Sequence, residues 1–231
     1  MFSIADKLHL VRQRIQNATV LAGRNPDSVT LLAVSKTQPA EKLREAALSG
    51  VGRFGENYLQ EALGKMDALS DLDSLEWHFI GPVQSNKTRD ISQRFHWVHS
   101  VDRLKVARRL SEQRPDGLAP LNVCIQVNLD DEASKSGVAP QEVAPLAREI
   151  LALPGLSLRG LMAIPDPDNS EEQQRRSFRH LAQLLAGLRQ SHPEQKSLDT
   201  LSMGMSGDLE AAIAEGATLV RVGSALFGPR D

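Results

Sequence analysis

The chain has 231 residues, 41% of them hydrophobic and 24% charged, and its formal net charge is −2. These values are typical of a globular protein with a sizeable core. They exclude the strong field of one sign that nucleic-acid-binding and membrane-surface proteins present. The single cysteine, Cys124, excludes an intramolecular disulfide, and its apolar neighbours indicate a packed thiol in a reducing compartment.

The N-terminus carries charged residues from Asp6 onward and has no apolar signal region. No apolar run in the chain approaches the length that crosses a bilayer. We therefore expect a cytoplasmic protein that binds neither nucleic acid nor a membrane.

Apolar residues recur at spacings of three and four within residues 1–24, which predicts an amphipathic N-terminal helix packed on the rest of the chain. Beyond it, short apolar runs typical of buried strands alternate eight times with helical patterns. The predicted strands are residues 29–35, 53–55, 77–80, 97–101, 122–128, 156–162, 198–202 and 218–222.

Strict alternation of strand and helix indicates parallel strands joined by helical crossovers. Eight such units in this length predict a single α/β domain over residues 1–231, a closed (β/α)8 TIM barrel with one extra N-terminal helix. A doubly wound open sheet is the alternative, because periodicity does not reveal whether a sheet closes.

Lys36 abruptly ends the apolar run of the first predicted strand, and Pro39 then suits the first turn of a helix. The carboxyl ends of strands are where parallel α/β proteins bind ligands. Lys36 is therefore either a solvated charge at a strand end or an amine directed into a site.

Two clusters of small residues follow the seventh and eighth strands, Gly204-Met205-Ser206-Gly207 and Gly223-Ser224. Small residues let backbone N–H groups approach an anion, and the two serines add hydroxyl donors. The loops after strands seven and eight are also the recurrent phosphate site of TIM barrels. Glycines that only form tight turns are the alternative interpretation.

A phosphate site beside a strand-end lysine indicates pyridoxal 5′-phosphate, whose aldehyde would condense with Lys36. A lysine aldolase acting on a sugar phosphate is compatible with the same residues. Arg221, in the eighth strand, would either face a cofactor ring at the barrel mouth or form an ordinary ion pair.

Six stretches spread over nearly the whole chain are similar to one known family. They are LAVSKT at 32–37, FGENY at 54–58, WHFIGPVQSNK at 77–87, LRGLMAI at 158–164, LSMGMS at 201–206 and VRVGSALFG at 220–228. With them the chain resembles the YggS/PROSC family of pyridoxal phosphate homeostasis proteins.

The resemblance implies a barrel of the alanine-racemase kind, fold type III, that holds pyridoxal phosphate as a Schiff base on Lys36. It implies that the phosphate is held near two loops and the ring near two further side chains. The implied cofactor-binding residues are Ser206, Gly223 and Ser224 at the phosphate, Met205 and Gly207 as their backbone neighbours, Arg221 at the pyridine nitrogen, and Asn57 near the cofactor.

Arginine at the pyridine nitrogen would not accept that atom's proton, which makes the ring a weaker electron sink. Fold-type III racemases resemble two-domain dimers whose second acid/base is a tyrosine from the added domain. This chain ends at Asp231, directly after the predicted barrel, and its one tyrosine, Tyr58, is expected to pack. Half of the catalytic pair is therefore expected to be missing.

We therefore expect no catalytic residue. The expected function is vitamin B6 homeostasis, in which the protein holds pyridoxal phosphate and releases it to pyridoxal-phosphate-dependent apoenzymes, with indirect effects on amino-acid metabolism. The alternative is a racemase-like enzyme that uses Lys36 as its single base. We expect a monomer, because no apolar helix face is left over.

Release of the cofactor needs a competing amine, and Lys135, in a loop after the fifth strand, is a candidate. A solvated loop lysine is the alternative for it. His96 and His99 would face opposite sides of the fourth strand, so no shared metal site is expected.

Overall fold

The structure is a computed structural model that describes residues 2–129, 136–166 and 168–228. Strands and helices alternate along it, as the sequence predicts. The strands are β1 (Thr30–Val34), β2 (Arg53–Glu56), β3 (Glu76–Phe79), β4 (Trp97–Val101), β5 (Leu121–Gln126), β6 (Leu156–Met162), β7 (Thr200–Ser202) and β8 (Leu219–Val222). The helices are α1 (Ile4–Leu21), α2 (Ala40–Leu48), α3 (Leu59–Ala68), α4 (Thr88–Arg94), α5 (Leu104–Glu112), α6 (Val143–Leu151), α7 (Glu171–Ser191), α8 (Leu209–Ala214) and α9 (Ser224–Phe227).

Each strand pairs in parallel with the next one along the chain, and β8 pairs with β1 to close an eight-stranded barrel. The closing ladder places Leu32 opposite Arg221 and Ala33 opposite Val222. The prediction of a (β/α)8 barrel with an extra N-terminal helix is confirmed, and the open-sheet alternative is wrong. The predicted strand limits differ from the observed ones by no more than two residues.

The N-terminal helix α1 packs against α8 and α9, beside the last strands of the barrel. Ser3 caps it, accepting the Asp6 N–H while the Asp6 carboxylate accepts the Ser3 N–H. Its buried stripe consists of Ile4, Leu8, Val11, Ile15, Ala18 and Thr19. Helix α1 also reaches the loop after β7, where Arg14 donates to the Ser206 carbonyl and to Glu210.

The core has two parts, as barrel geometry requires. The larger one lies between the outer face of the sheet and the helices, and the smaller one, formed by Trp97, Cys124 and Met162, is separate from it. Cys124 is fully buried, and burial raises the pKa of its thiol to about 12. It is therefore a packed thiol, as its sequence context predicts. Among the described residues, no helix combines the length and apolarity needed to span a membrane.

Candidate functional site

Lys36 lies two residues beyond the end of β1, where the chain turns sharply toward α2. The next residue, Thr37, has φ 64°, and it is the only non-glycine residue in the described ranges with a positive φ. A threonine in this conformation is strained and persists only where its surroundings hold it. Strain of this kind, next to a half-buried lysine at a strand end, is typical of a functional turn.

A buried ionic network lies beneath this turn and holds it. Lys65 of α3 donates to the Ser35 carbonyl at 2.6 Å, to Glu56 Oε1 at 2.7 Å and to Glu61 Oε1 at 2.5 Å. Glu61 Oε1 also accepts the Thr37 N–H at 2.6 Å, so the network fixes residues on both sides of Lys36. Ser35 Oγ donates to Glu56 Oε1 at 2.6 Å.

Glu56 is fully buried at the end of β2, and burial raises its pKa against the opposing effect of Lys65. Its second oxygen, Oε2, is buried and accepts no hydrogen bond from the described residues. Lys65 and Glu61 are not among the site residues that the sequence predicts. Their spacing of four residues on α3 indicates an ion pair, but an exposed pair has the same spacing, so the pattern does not reveal burial.

Asn57 follows β2 and lines a cavity of about 270 Å³ at the carboxyl ends of the strands. Its side-chain oxygen Oδ1 is buried and has no hydrogen-bond partner in the part of the chain that the structure describes. Gly81 packs against its backbone so closely that a Cβ at position 81 would lie 2.2 Å from the Asn57 carbonyl oxygen. The position of Asn57 at the mouth is therefore set by the loop after β3.

The loops after β7 and β8 place several donors side by side. The backbone N–H groups of Ser206, Gly207, Ser224 and Ala225 have no acceptor among the described residues, and neither serine hydroxyl makes a hydrogen bond there. The Met205 N–H differs, because it donates to Asp208 Oδ1 at 2.5 Å. The two loops are tied together by the Arg221 N–H, which donates to the Gly204 carbonyl at 2.9 Å.

Two glycines permit close packing of these loops against neighbouring elements. Gly204 has φ 94°, and a Cβ there would lie 2.6 Å from the Ala212 methyl group. At Gly223 a Cβ would lie 3.2 Å from the Val34 carbonyl, which brings the end of β8 against the end of β1. At Gly207 a Cβ would meet nothing within 4 Å, so the space around this position does not require a glycine.

The Arg221 guanidinium is buried inside the barrel. Its Nη1 donates to the Ser202 carbonyl at 2.6 Å and to Ser202 Oγ at 2.8 Å, and its Nη2 donates to the Ala163 carbonyl at 2.8 Å. Burial lowers its pKa to about 10, which leaves it protonated at neutral pH. Its Nε–H donates to no described residue and is available to a ligand.

All eight predicted site residues lie at the carboxyl ends of four neighbouring strands, in the order β7, β8, β1, β2 around the closed barrel. The residues after β7 are Met205, Ser206 and Gly207; Arg221, Gly223 and Ser224 belong to β8 and its loop; Lys36 follows β1; and Asn57 follows β2. Residues separated by up to 188 positions in the chain therefore share one edge of the barrel.

Three further expectations have different outcomes. Lys135 lies outside the described residues. Tyr58 does not pack as expected, because its side chain is 56% exposed at the start of α3. His96 accepts the Trp77 N–H while His99 points into the barrel, and the described residues contain no group of side chains suited to a metal ion.

Comparison with known proteins identifies the family. The family model described as "Alanine racemase, N-terminal domain" matches residues 10–231. The chain belongs to this family. Within it, the chain is 60% identical over 231 residues to the pyridoxal phosphate homeostasis protein of Pseudomonas aeruginosa, covering 100% of this chain and 97% of that protein.

The pyridoxal phosphate homeostasis protein of Escherichia coli is 50% identical over 233 residues, covering 98% of that protein. Among solved structures, PipY of Synechococcus elongatus, determined without pyridoxal phosphate, matches with a TM-score of 0.89 and 38% identity over 98% of this chain and 100% of that chain. The same protein has also been solved with pyridoxal phosphate bound, and that structure matches with a TM-score of 0.85.

An alanine racemase of Corynebacterium glutamicum shares the fold at 19% identity, with a TM-score of 0.66 over 96% of this chain and 61% of that chain. At this identity the likeness concerns the fold alone.

Proposed function

We propose that this protein binds pyridoxal 5′-phosphate through Lys36 and serves pyridoxal phosphate homeostasis, holding the cofactor and releasing it to other proteins. The observation that carries the proposal is the convergence of Lys36, Arg221 and the two serine loops at the ends of three neighbouring strands, β7, β8 and β1. Relatives that match the full chain at 50–60% identity bear the corresponding name, and PipY has been solved with pyridoxal phosphate bound.

The residues present fit each end of this cofactor. Four backbone N–H groups and two serine hydroxyls without acceptors suit a phosphate, which accepts several hydrogen bonds at once. Arg221 Nε–H suits a ring nitrogen, and the buried Asn57 Oδ1 is an acceptor without a donor. The Met205 N–H already donates to Asp208, so it is not available to the phosphate, and Met205 would only help to form the loop.

Pyridoxal phosphate supplies an aldehyde that condenses reversibly with a primary amine. The chain supplies the amine at Lys36, on a turn that Glu61 and Lys65 hold in a strained conformation. Arg221, protonated at neutral pH, donates to a ring nitrogen without accepting its proton. A cofactor ring whose nitrogen is not protonated stabilises carbanions poorly. Such a site is better suited to binding the cofactor than to catalysing a reaction of an amino-acid substrate.

We further propose that the chain acts as a cytoplasmic monomer whose partners are recipient apoenzymes. The eight large exposed apolar side chains of the described residues are distributed over the N-terminal segment, α1, α2, the start of α3 and two loops. Light scattering that gives the mass of two chains would contradict the monomer.

The test is the visible absorption of the purified protein after incubation with pyridoxal phosphate and removal of the excess. We expect wild-type protein to retain a visible band from the lysine-linked cofactor and Lys36→Ala to lose it. Lys105→Ala is the matched control, because Lys105 is an exposed lysine on α5. Wild-type protein that stays colourless, or Lys36→Ala with an unchanged band, would contradict the proposal.

A second measurement separates a carrier from a racemase-like enzyme. Holoprotein is incubated with amino acids in D2O, and loss of the α-proton signal is followed by NMR. A carrier exchanges no α-proton catalytically, whereas a single-base enzyme using Lys36 exchanges it over many turnovers. Transfer of the cofactor to a recipient apoenzyme, followed by recovery of that enzyme's activity, completes the test of release.

A further inference from the structure

A chain of side-chain hydrogen bonds crosses the barrel interior, from Arg221 to the first residue of β3. Arg221 Nη1 lies 2.8 Å from Ser202 Oγ, which lies 2.8 Å from His99 Nδ1. His99 Nε2 lies 2.8 Å from His78 Nδ1, and His78 Nε2 lies 2.9 Å from Glu76 Oε1. The far end reaches a second, polar cavity of about 430 Å³ that includes Glu76, His78 and Arg53.

Donor and acceptor roles along this chain follow from its two ends. A guanidinium only donates, so Ser202 Oγ accepts from Arg221 and uses its own proton toward His99 Nδ1. His99 Nδ1 is then an acceptor, and the His99 proton is on Nε2, where it is donated to His78. By the same reasoning the His78 proton is on Nε2 and is donated to the Glu76 carboxylate.

The alternative arrangement makes His78 an imidazolium that donates to both Glu76 and His99. His99 Nδ1 would then carry the proton and donate to Ser202 Oγ, which would already accept from Arg221. The Ser202 hydroxyl proton, buried at 0% exposure, would be left without an acceptor among the described residues. The charge on His78 would also be fully buried and would lie near the cation Arg53, so the geometry and the charges both favour neutral rings.

The charged and titratable surroundings agree with this. Burial lowers the pKa of both histidines, and the His78 contact lowers the pKa of Glu76 to about 2, so the carboxylate end stays ionised. The groups that face the pair are Glu76, Arg53 and His96 around His78 and Arg221 beyond His99, with Asp208 and Cys124 facing Arg221 in turn.

We propose that His78 and His99 are positioning residues of the ligand site: as neutral Nε2–H imidazoles they hold Ser202, and through it the Arg221 guanidinium, in one orientation, with Glu76 as the anchor. All donors then point from the cation toward the anion. The Arg221 Nη1 protons are committed to Ser202, which leaves the Nε–H edge for a ligand. The ligand atom that would accept the Nε–H is a pyridine nitrogen, and for the identity of this atom the inference rests on the proposed function.

The first test needs no ligand. Long-range ¹H–¹⁵N NMR spectra of assigned apoprotein at pH 7 distinguish the two neutral tautomers of histidine and the imidazolium. We expect His78 and His99 both to be the neutral Nε2–H tautomer. Either ring found as the Nδ1–H tautomer or as an imidazolium would overturn the proposal.

The second test asks whether the orientation of Arg221 matters to a ring nitrogen. Ser202→Ala removes the hydroxyl that links Arg221 to His99. Ser92→Ala is the matched control, because it removes a buried serine hydroxyl on α4 that donates to the Leu110 carbonyl, outside the chain of bonds. Dissociation constants are measured for pyridoxal phosphate and for the analogue in which CH replaces the ring nitrogen.

We expect Ser202→Ala to weaken pyridoxal phosphate binding about tenfold, as loss of an oriented charged donor implies, and Ser92→Ala to change it by less than about twofold. For the CH analogue, Ser202→Ala and wild type should bind alike. Equal losses for both ligands, or Ser202→Ala binding pyridoxal phosphate like wild type, would overturn the proposal. Wild-type protein that binds neither ligand would instead overturn the proposed function, while the NMR result still decides the tautomers.

Discussion

The turn that carries Lys36 depends on a second lysine, Lys65, which is only 5% exposed and lies between Glu56 and Glu61. Desolvation of such a cluster offsets much of the Coulomb attraction within it, so the cluster adds little net stability compared with apolar packing. Removing one member is different, because it leaves the opposite charges buried without compensation. The cluster therefore secures the geometry of the turn, including the strained Thr37.

We expect Lys65→Met to lower the free energy of unfolding by about 3–5 kcal/mol, because Glu56 would be buried next to Glu61 without a cation. Urea unfolding at pH 7 measures this loss. Adding Glu56→Gln to the Lys65→Met protein should recover part of it, since the uncompensated charge is then gone. Lys105→Met, at an exposed position of α5, serves as the control and should change stability by less than about 0.5 kcal/mol. A Lys65→Met loss as small as that of the control would contradict the role given to the cluster.

Among the elements, the last strands are held in register by very close backbone approach. Gly160 in β6 is paired with Thr200 in β7, and a Cβ at position 160 would lie 1.9 Å from the Thr200 carbonyl oxygen. Its φ of 153° also lies in the region that residues with a side chain rarely adopt. Strand β7 leads through Ser202 into the loop with Ser206, so this approach also helps to position the candidate phosphate loop.

Gly160→Ala should therefore lower the free energy of unfolding by about 3 kcal/mol, because β6 and β7 must separate to admit the methyl group. Gly187→Ala provides the opposite case. Gly187 lies on the exposed side of helix α7 with nothing within 4 Å of its Cβ position, so alanine should stabilise the protein by up to about 1 kcal/mol. Thermal unfolding of both variants beside wild type checks the pair. Two changes of the same sign would show that space around Cβ does not decide the effect.

For the whole molecule, the polar barrel interior makes stability depend on pH. His78 and His99 are neutral in the folded state, with pKa values lowered by burial, and both regain an ordinary pKa on unfolding. Below about pH 6.5 the histidines of the unfolded chain bind protons that the same histidines in the folded protein do not bind. Their contribution to the free energy of unfolding is therefore complete above that pH and is lost as the pH falls. The pKa of Glu76 is lowered to about 2 in the folded state, so its contribution to the free energy of unfolding is lost only as the pH falls below its unfolded pKa of 4.5. The acids whose pKa values are raised by desolvation, and which oppose the histidines, are the buried Glu56 and Asp208 and the partly buried Asp102.

The unfolding free energy should therefore fall between pH 7 and pH 5, with each buried histidine contributing up to about 1.4 kcal/mol per pH unit. His99→Asn isolates one histidine from the opposing acids, and its pH dependence should be shallower than that of wild type by up to that amount. His180→Asn, at an exposed position on α7, should leave the slope unchanged. Urea unfolding at several pH values measures all three, and parallel curves for wild type and His99→Asn would contradict a neutral His99.

Much of the fold can be predicted from the sequence because it depends on residues that are close together in the chain. Apolar runs followed by helical patterns predict all eight strands within two residues of their observed ends. The change from apolar residues to Lys36, and the glycines and serines of the last two loops, predict which strand ends carry the site. Parallel topology then brings those ends together, so the candidate residues share one edge of the barrel.

The tertiary structure decided what depends on distant residues meeting. Closure required β8 to pair with β1, and the periodic pattern is the same for an open sheet. The burial of Lys65 and the exposure of Tyr58 depend on packing around α3. The bonds from Arg221 to Glu76 join β8, β7, β4 and β3 across the barrel, and the inward direction of each side chain emerges only once the barrel closes. The sequence by itself therefore determined the order of elements and the residue types at the strand ends of the candidate site, because both are local. Three-dimensional contact determined closure and charge burial, because their free energy comes from partners far apart in the chain.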